Sequence, residues 1–127
     1  MKIDVVAALI RCNAKILITQ RLDNVHLAGL WEFPGGKVEA GESLDAALHR
    51  EILEELGVRI RVDAEFFAID HDYPTQSVRL HFFNCTILEG TVQPLDVADL
   101  RWVTPSDLCN FEFPPADAAL IAKLRSE

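Results

Sequence analysis

The sequence predicts a mixed α+β fold, a β-sheet sandwiched between α-helices, in a single domain over residues 1–127. Three observations carry this expectation. Apolar, β-branched runs of strand length precede, separate and follow two stretches with helical spacing. The chain has 127 residues, half of them apolar, enough for one core and too few for a second. A glycine-rich segment from Leu22 to Ser43 interrupts the strands, and a loop of that length inside a compact domain is usually functional.

Taken in order, "IDVVAALI" (3–10) and "KILITQR" (15–21) are strands, and "RCNA" between them implies a hairpin. The opening apolar run is too short to span a bilayer, ends at Arg11, and is followed by no small-residue cleavage pattern; it is read as a strand. The long loop contains a short strand near Trp31 to Phe33. "SLDAALHREILEEL" (43–56) is a helix: Ser43 suits the cap, Leu44, Leu48, Ile52 and Leu56 form an apolar stripe, and Gly57 stops it. "VRIRV" (58–62) alternates as a short strand. "EFFAIDHDY" (65–73) and "SVRLHFFNCTIL" (77–88) flank "PTQ" as a second hairpin. "DLRWV" (99–103) is a further strand. "TPSDL" (104–108) carries a helix-start signal, and "PPADAALIAKLRSE" (114–127) is the second helix. Trp31 and Trp102 are expected in the core.

The formal net charge of −8 argues against binding a nucleic-acid polymer, which needs basic surface. A single nucleotide is compatible with it, because a metal ion can carry the counter-charge. The three cysteines, Cys12, Cys85 and Cys109, include no CxxC pair and imply neither a disulfide framework nor a zinc site. Reduced thiols in the cytoplasm are the expectation, with no membrane association and a monomer or homodimer as the assembly. His26, His49, His71 and His81 show no metal-ligand spacing; His49 and His81 are read as structural or surface residues.

The chemistry concentrates in "REILEE", Arg50 to Glu55. On a helix, Glu51 lies three and four residues from Glu54 and Glu55, so the three carboxylates are near neighbours. Like charges at that spacing oppose the helix. A solvated face with Arg50 pairing to Glu54 is the plain explanation; a hard divalent cation such as Mg²⁺ or Mn²⁺ is the functional one. The context favours the second. Gly36, five residues, Glu42, seven residues, then "REILEELGV" satisfies every fixed position of the Nudix box, and the chain resembles the Nudix hydrolase family. That resemblance implies Mg²⁺-dependent hydrolysis, with Mn²⁺ able to substitute, of a nucleoside diphosphate linked to another group. It implies that Glu51, Glu54, Glu55 and the Gly35 carbonyl hold metal, and that Glu51 also activates water. Arg50 would orient Glu51 and Glu54, Glu42 would close the loop, and Lys37 would face phosphates or metal.

"LWEFPGGK", "DLRWVTPSDL" and "FPPADAALIAKL" further resemble the MutT branch, which hydrolyses oxidised dGTP to a monophosphate and pyrophosphate. By the same resemblance Arg21 contacts phosphate, Phe33 lines the base pocket, and Asp96 stands where the branch has a metal-binding glutamate. Tyr73 is a further candidate at the pocket. Asp117 departs from the asparagine of the oxidised-guanine enzyme. A carboxylate only accepts hydrogen bonds, which fits the adjacent N1–H and N2–H₂ of guanine. A similar cytidine triphosphate pyrophosphohydrolase also has an aspartate in a "PAD" stretch, so a pyrimidine substrate is the alternative. Asp117 could instead serve only the helix start. A binding module that recognises nucleotides without cleaving them is the reading of another class; the intact carboxylate set speaks against it.

Overall fold

The computed structural model describes residues 2–127. Seven strands form one sheet: β1 (Lys2–Cys12), β2 (Lys15–Gln20), β3 (Trp31–Glu32), β4 (Gly35–Lys37), β5 (Arg59–Tyr73), β6 (Gln76–Glu89) and β7 (Asp99–Val103). Helix α1 (Leu44–Leu56) covers one face and α2 (Ala118–Arg125) the other. The expected α/β/α sandwich is therefore the observed one. Among the described residues, no helix is long and apolar enough to cross a membrane.

β1 organises the sheet. It runs parallel to β6 from Lys2 opposite Ser77 to Ile10 opposite Cys85, and antiparallel to β4 through Val5–Lys37, Val6–Gly36 and Ala7–Gly35. Its side chains alternate between two cores, as the period of a strand requires. Val6, Ala8 and Ile10 join Leu17, Leu48, Ile52 and Leu56 under α1. Ala7 and Leu9 join Ile16, Ile18, Leu120 and Leu124 under α2. A strand buried on both faces reads as a continuous apolar run, which is why "VVAALI" shows no alternation.

The hairpin at "RCNA" is present, but β1 and β2 pair only through Arg11–Ile16 and Cys12–Lys15. Asn13 and Ala14 both take positive φ, 51° and 65°, as a two-residue turn demands. β2 then turns to β3 and β7. Several boundaries differ from expectation. "VRIRV" and "EFFAIDHDY" are one strand, β5, whose register against β6 shifts between Val62 and Glu65 and again between Glu65 and Phe67. These bulges break the alternation that would have joined the two runs. "TPSDL" forms only 3₁₀ turns over Pro105–Asn110, and the Thr104 side chain caps nothing. "PPAD" likewise enters α2 through a 3₁₀ turn, Pro115–Asp117. β4 was not anticipated, since "GGK" has no strand propensity and is recruited by β1.

Candidate active site

α1 presents its acids by simple geometry. Ser43 Oγ accepts from the Ala46 amide at 3.0 Å and starts the helix; Gly57, at φ 72°, ends it. With Ala47, Leu48, Ile52 and Leu56 buried, Glu51, Glu54 and Glu55 fall along the side next to β4. Their environments differ. Glu54 is mostly exposed, and the Glu51 side chain is only 15 % exposed. Glu55 Oε1 is buried with no hydrogen-bond partner. Burial pushes the Glu55 carboxyl up to about 9, aided by the charges of Glu32, Glu51 and Asp96, against a backbone hydrogen bond from Gly35. Glu51 is also raised, chiefly by burial and against the nearby Arg50. Among the described residues, no three acidic, imidazole or thiol groups yet converge on one point.

The loop between β4 and α1 is fixed by Arg50. Its Nε donates to Glu42 Oε2 at 2.7 Å and its Nη2 to Glu42 Oε1 at 2.9 Å and to the Lys37 carbonyl at 3.1 Å. Glu42 in turn accepts from the Glu39 amide at 2.9 Å. The Arg50 bonds, then the Glu39 amide, hold the Glu42 carboxyl down at about 2. The two-nitrogen fork of Arg50 goes to Glu42, while its Nη1 donates to Glu51 Oε1 at 3.4 Å and lies 3.6 Å from Glu54 Oε2, so the expected contact with Glu51 and Glu54 is present but is not the fork. The guanidinium matches one carboxylate in a fork, and here that carboxylate belongs to the loop acid Glu42. Gly36 is dictated by the same packing: a Cβ there would fall against the Glu51 carboxylate, and one at Gly35 against the Val6 carbonyl.

A cavity of about 290 Å³ opens beside this loop. Gly35, Gly36 and Lys37 line it together with Phe33, Tyr73 and Asp117, and Arg21 and Glu32 also face it. Phe33 is buried, stacked on Phe113 at 5.4 Å and edge-on to Phe82 at 6.2 Å. Tyr73, also in the lining, lies edge-on to His71 and His26. Asp117 is 7 % exposed, and its carboxyl is pushed up to about 7 by burial and then by the charge of Glu32. Asp117 sits at the N-terminal start of α2, where a negative charge suits the helix dipole, although its side chain makes no capping hydrogen bond there. Asp96 is exposed; its amide, at 3.3 Å, and that of Leu95, at 3.0 Å, donate to the Glu55 carbonyl.

Arg21 does not stand open to solvent. Its Nε donates to the His26 carbonyl at 2.7 Å and its Nη1 to Glu32 Oε1 at 2.8 Å. Glu32 is the site residue that sequence reasoning missed. It lies in "LWEFPGGK", where a charged residue between two aromatics in a strand was the available signal.

The comparisons agree with this geometry. The sequence profile described as NUDIX domain matches residues 5–123. The CTP pyrophosphohydrolase of Escherichia coli (strain K12) is 38% identical over 119 residues, 94% of this chain and 88% of that protein. The 8-oxo-dGTP diphosphatase of the same organism is 33% identical over 125 residues, 98% of this chain and 97% of that protein. The solution structure of the E. coli ORF135 protein superposes with a TM-score of 0.85 at 36% identity, covering 99% of this chain and 91% of that one. A MutT structure from a study of Aliivibrio salmonicida and Vibrio cholerae gives 0.83 at 33% identity, covering 98% and 97%. An acidic helix, a glycine loop locked to it by an arginine and a fold shared along the whole chain converge on one conclusion: this chain belongs to the Nudix hydrolase family.

Proposed function

We propose that the protein is a divalent-metal-dependent nucleoside triphosphate pyrophosphohydrolase of the MutT type, acting on oxidised guanine nucleotides such as 8-oxo-dGTP and so cleansing the nucleotide pool. The observation that carries this reading is one cavity lined both by the glycine loop beside α1 and by a buried carboxyl, Asp117. A base held at Asp117 between Phe33 and Tyr73 would leave its phosphates running toward Lys37 and the glutamates. Three free thiols fit a reducing, cytoplasmic setting.

The donors suit Mg²⁺ or Mn²⁺. Glu55 Oε1 is a buried acceptor lacking a donor, and the surrounding acids offer hard oxygen ligands. Glu51, Glu54, Glu55, the Gly35 carbonyl and Asp96 are the groups that would hold the ion. When bound, it supplies positive charge to the phosphate oxygens and acidifies water. The protein does the rest. Glu51, partly buried and raised, takes the proton of the attacking water. The water oxygen bonds to the inner phosphorus as the bond to pyrophosphate breaks, leaving the monophosphate. Lys37 and Arg21 balance the phosphate charge, and Arg50 keeps the loop closed through Glu42.

A cytosine nucleotide is the second reading. It is favoured by the raised Asp117, which in its protonated form donates to N3 of cytosine and accepts from N4, and by the CTP pyrophosphohydrolase relative. The test is a panel of ordinary and oxidised nucleoside triphosphates, assayed for pyrophosphate and monophosphate with Mg²⁺ and with chelator. Metal-dependent pyrophosphate release, greatest with 8-oxo-dGTP, is the expected result. Release greatest with CTP or dCTP selects the second reading. Binding without turnover of any triphosphate refutes both.

A further inference from the structure

We infer that Leu27 is a substrate-binding residue: its apolar side chain clamps the nucleoside end of the substrate, and its backbone is held in a strained conformation to present it. This rests on the nucleotide-hydrolase reading above. Leu27 has φ 58°, in the left-handed region, where Cβ meets the following carbonyl oxygen and an L-residue is disfavoured roughly tenfold. Among the described residues other than glycine, only Asn13 and Ala14 also have positive φ, and they form the turn between β1 and β2. No two-residue turn explains Leu27. It lies in the long irregular connection between β2 and β3. Asn24 and Gly29 stand within three residues of it, and their types take positive φ at little cost. The strain nevertheless falls on a leucine.

A strained residue persists where its surroundings over-determine it, and such residues cluster at ligand sites. Arg21 Nε donates to the His26 carbonyl at 2.7 Å, immediately before Leu27, and the Leu30 amide donates to the Leu27 carbonyl at 3.2 Å. The Arg21 amide donates to the Leu30 carbonyl at 2.9 Å, and the Gly29 amide to the Arg21 carbonyl at 3.3 Å, which closes the segment at its base. Gln20 Nε2 adds a bond to the Gly29 carbonyl at 3.1 Å. Held this way, Leu27 is half-buried and lines the cavity, while Val25 and Ala28 are exposed. The lining it joins includes the apolar side chains of Phe33, Val78, Leu80 and Phe82. An apolar side chain gains nothing from a phosphate, which keeps its water; it gains by covering a base or ribose face. That contact carries no hydrogen-bond code, so it adds affinity for nucleosides in general and leaves the choice of base to polar groups.

Three variants test this. Leu27→Ala and Leu27→Gly both remove the side chain, and glycine also removes the strain. Each should raise KM for whichever of 8-oxo-dGTP and dCTP wild type hydrolyses by roughly five- to twentyfold, with kcat within about threefold. Inhibition by the monophosphate product should weaken by a similar factor, while inhibition by inorganic pyrophosphate, which has no nucleoside, should stay within about twofold. Leu27→Met keeps an apolar side chain of similar size and should hold KM within about threefold of wild type. In thermal unfolding, Leu27→Gly should melt no lower than Leu27→Ala, the reverse of the usual order for these residues. Unchanged KM in the folded Ala and Gly variants would make Leu27 a turn residue and overturn the inference. So would a loss in Leu27→Gly alone, which would place the effect in the backbone, or an equal loss of pyrophosphate inhibition. Leu27→Gly melting well below Leu27→Ala would show that position 27 carries no strain and would equally overturn it. If wild type neither hydrolyses nor binds a triphosphate, the functional reading fails and the inference falls with it; active wild type with unaffected variants refutes the inference alone.

Discussion

Changing pH should change which base the protein prefers, because Asp117 titrates near neutrality. Burial and the neighbouring Glu32 move its carboxyl from 3.8 to about 7. Between pH 6 and pH 8 a group of that pKa goes from about one-tenth to about nine-tenths ionised. The ionised form accepts from N1–H and N2–H₂ of guanine; the protonated form donates to N3 of cytosine and accepts from N4. Over this interval kcat/KM for 8-oxo-dGTP should rise roughly tenfold through this group, and that for dCTP should fall roughly tenfold. Other titrating groups act on both substrates, so their effects cancel in the ratio of the two. That ratio should move about a hundredfold toward guanine. The assay is kcat/KM for both nucleotides at saturating Mg²⁺ across pH 6–8, for wild type and Asp117→Asn. A flat ratio in wild type, or the same slope in the variant, would refute the reasoning. Stability gives a second check. A carboxyl raised in the folded state contributes stability that is complete below 3.8 and is lost as pH rises through about 7. The loss has an upper bound of about 4 kcal/mol. Asp117→Asn should therefore unfold at a higher temperature than wild type at pH 8, with the gap closing toward pH 5.

Glu51→Gln should fold normally by circular dichroism and lose ~10²–10⁴-fold in kcat, the usual worth of a general base; turnover within about threefold of wild type would remove Glu51 from that role. Mg²⁺ or Mn²⁺ should raise the unfolding temperature, since an ion bound only by the folded state stabilises it by mass action. The rise should shrink in Glu54→Gln and Glu55→Gln, and its absence from metal-free protein would count against the glutamates as ligands. Gly36→Ala should cost at least about tenfold in kcat/KM, because its Cβ displaces the Glu51 carboxylate and about 1 Å of misplacement can cost a hundredfold. Unchanged kinetics would mean that Glu51 is not held where it reacts.

The chemistry was more legible than its supports. Glu51, Glu54 and Glu55 follow from helix spacing, and Ser43 and Gly57 bound that helix by cap chemistry that operates within a few residues. Such local rules leave a mark in the sequence. The Arg50 fork to Glu42 does not, because an arginine reaches acids at several separations and only the loop path decides between them. β4 and the pairing of Glu32 with Arg21 are equally hidden, since both depend on which strands lie side by side. β5 was divided in two because a bulge reverses the in–out pattern along the chain, although the strand is continuous in space.

β1 is hydrogen-bonded on both sides, to β4 and to β6, just where the glycine loop departs. Other parts of the lining are made differently: His26 and Leu27 belong to an irregular loop, and Tyr73 ends a strand at the sheet edge. Part of the cavity is therefore anchored in the interior of the sheet, and part hangs from its margin. Substitutions on the margin disturb few backbone pairings, while substitutions on the anchored part disturb many. Tyr73, at that margin, is therefore open to replacement without breaking the backbone pairings that hold the glycine loop.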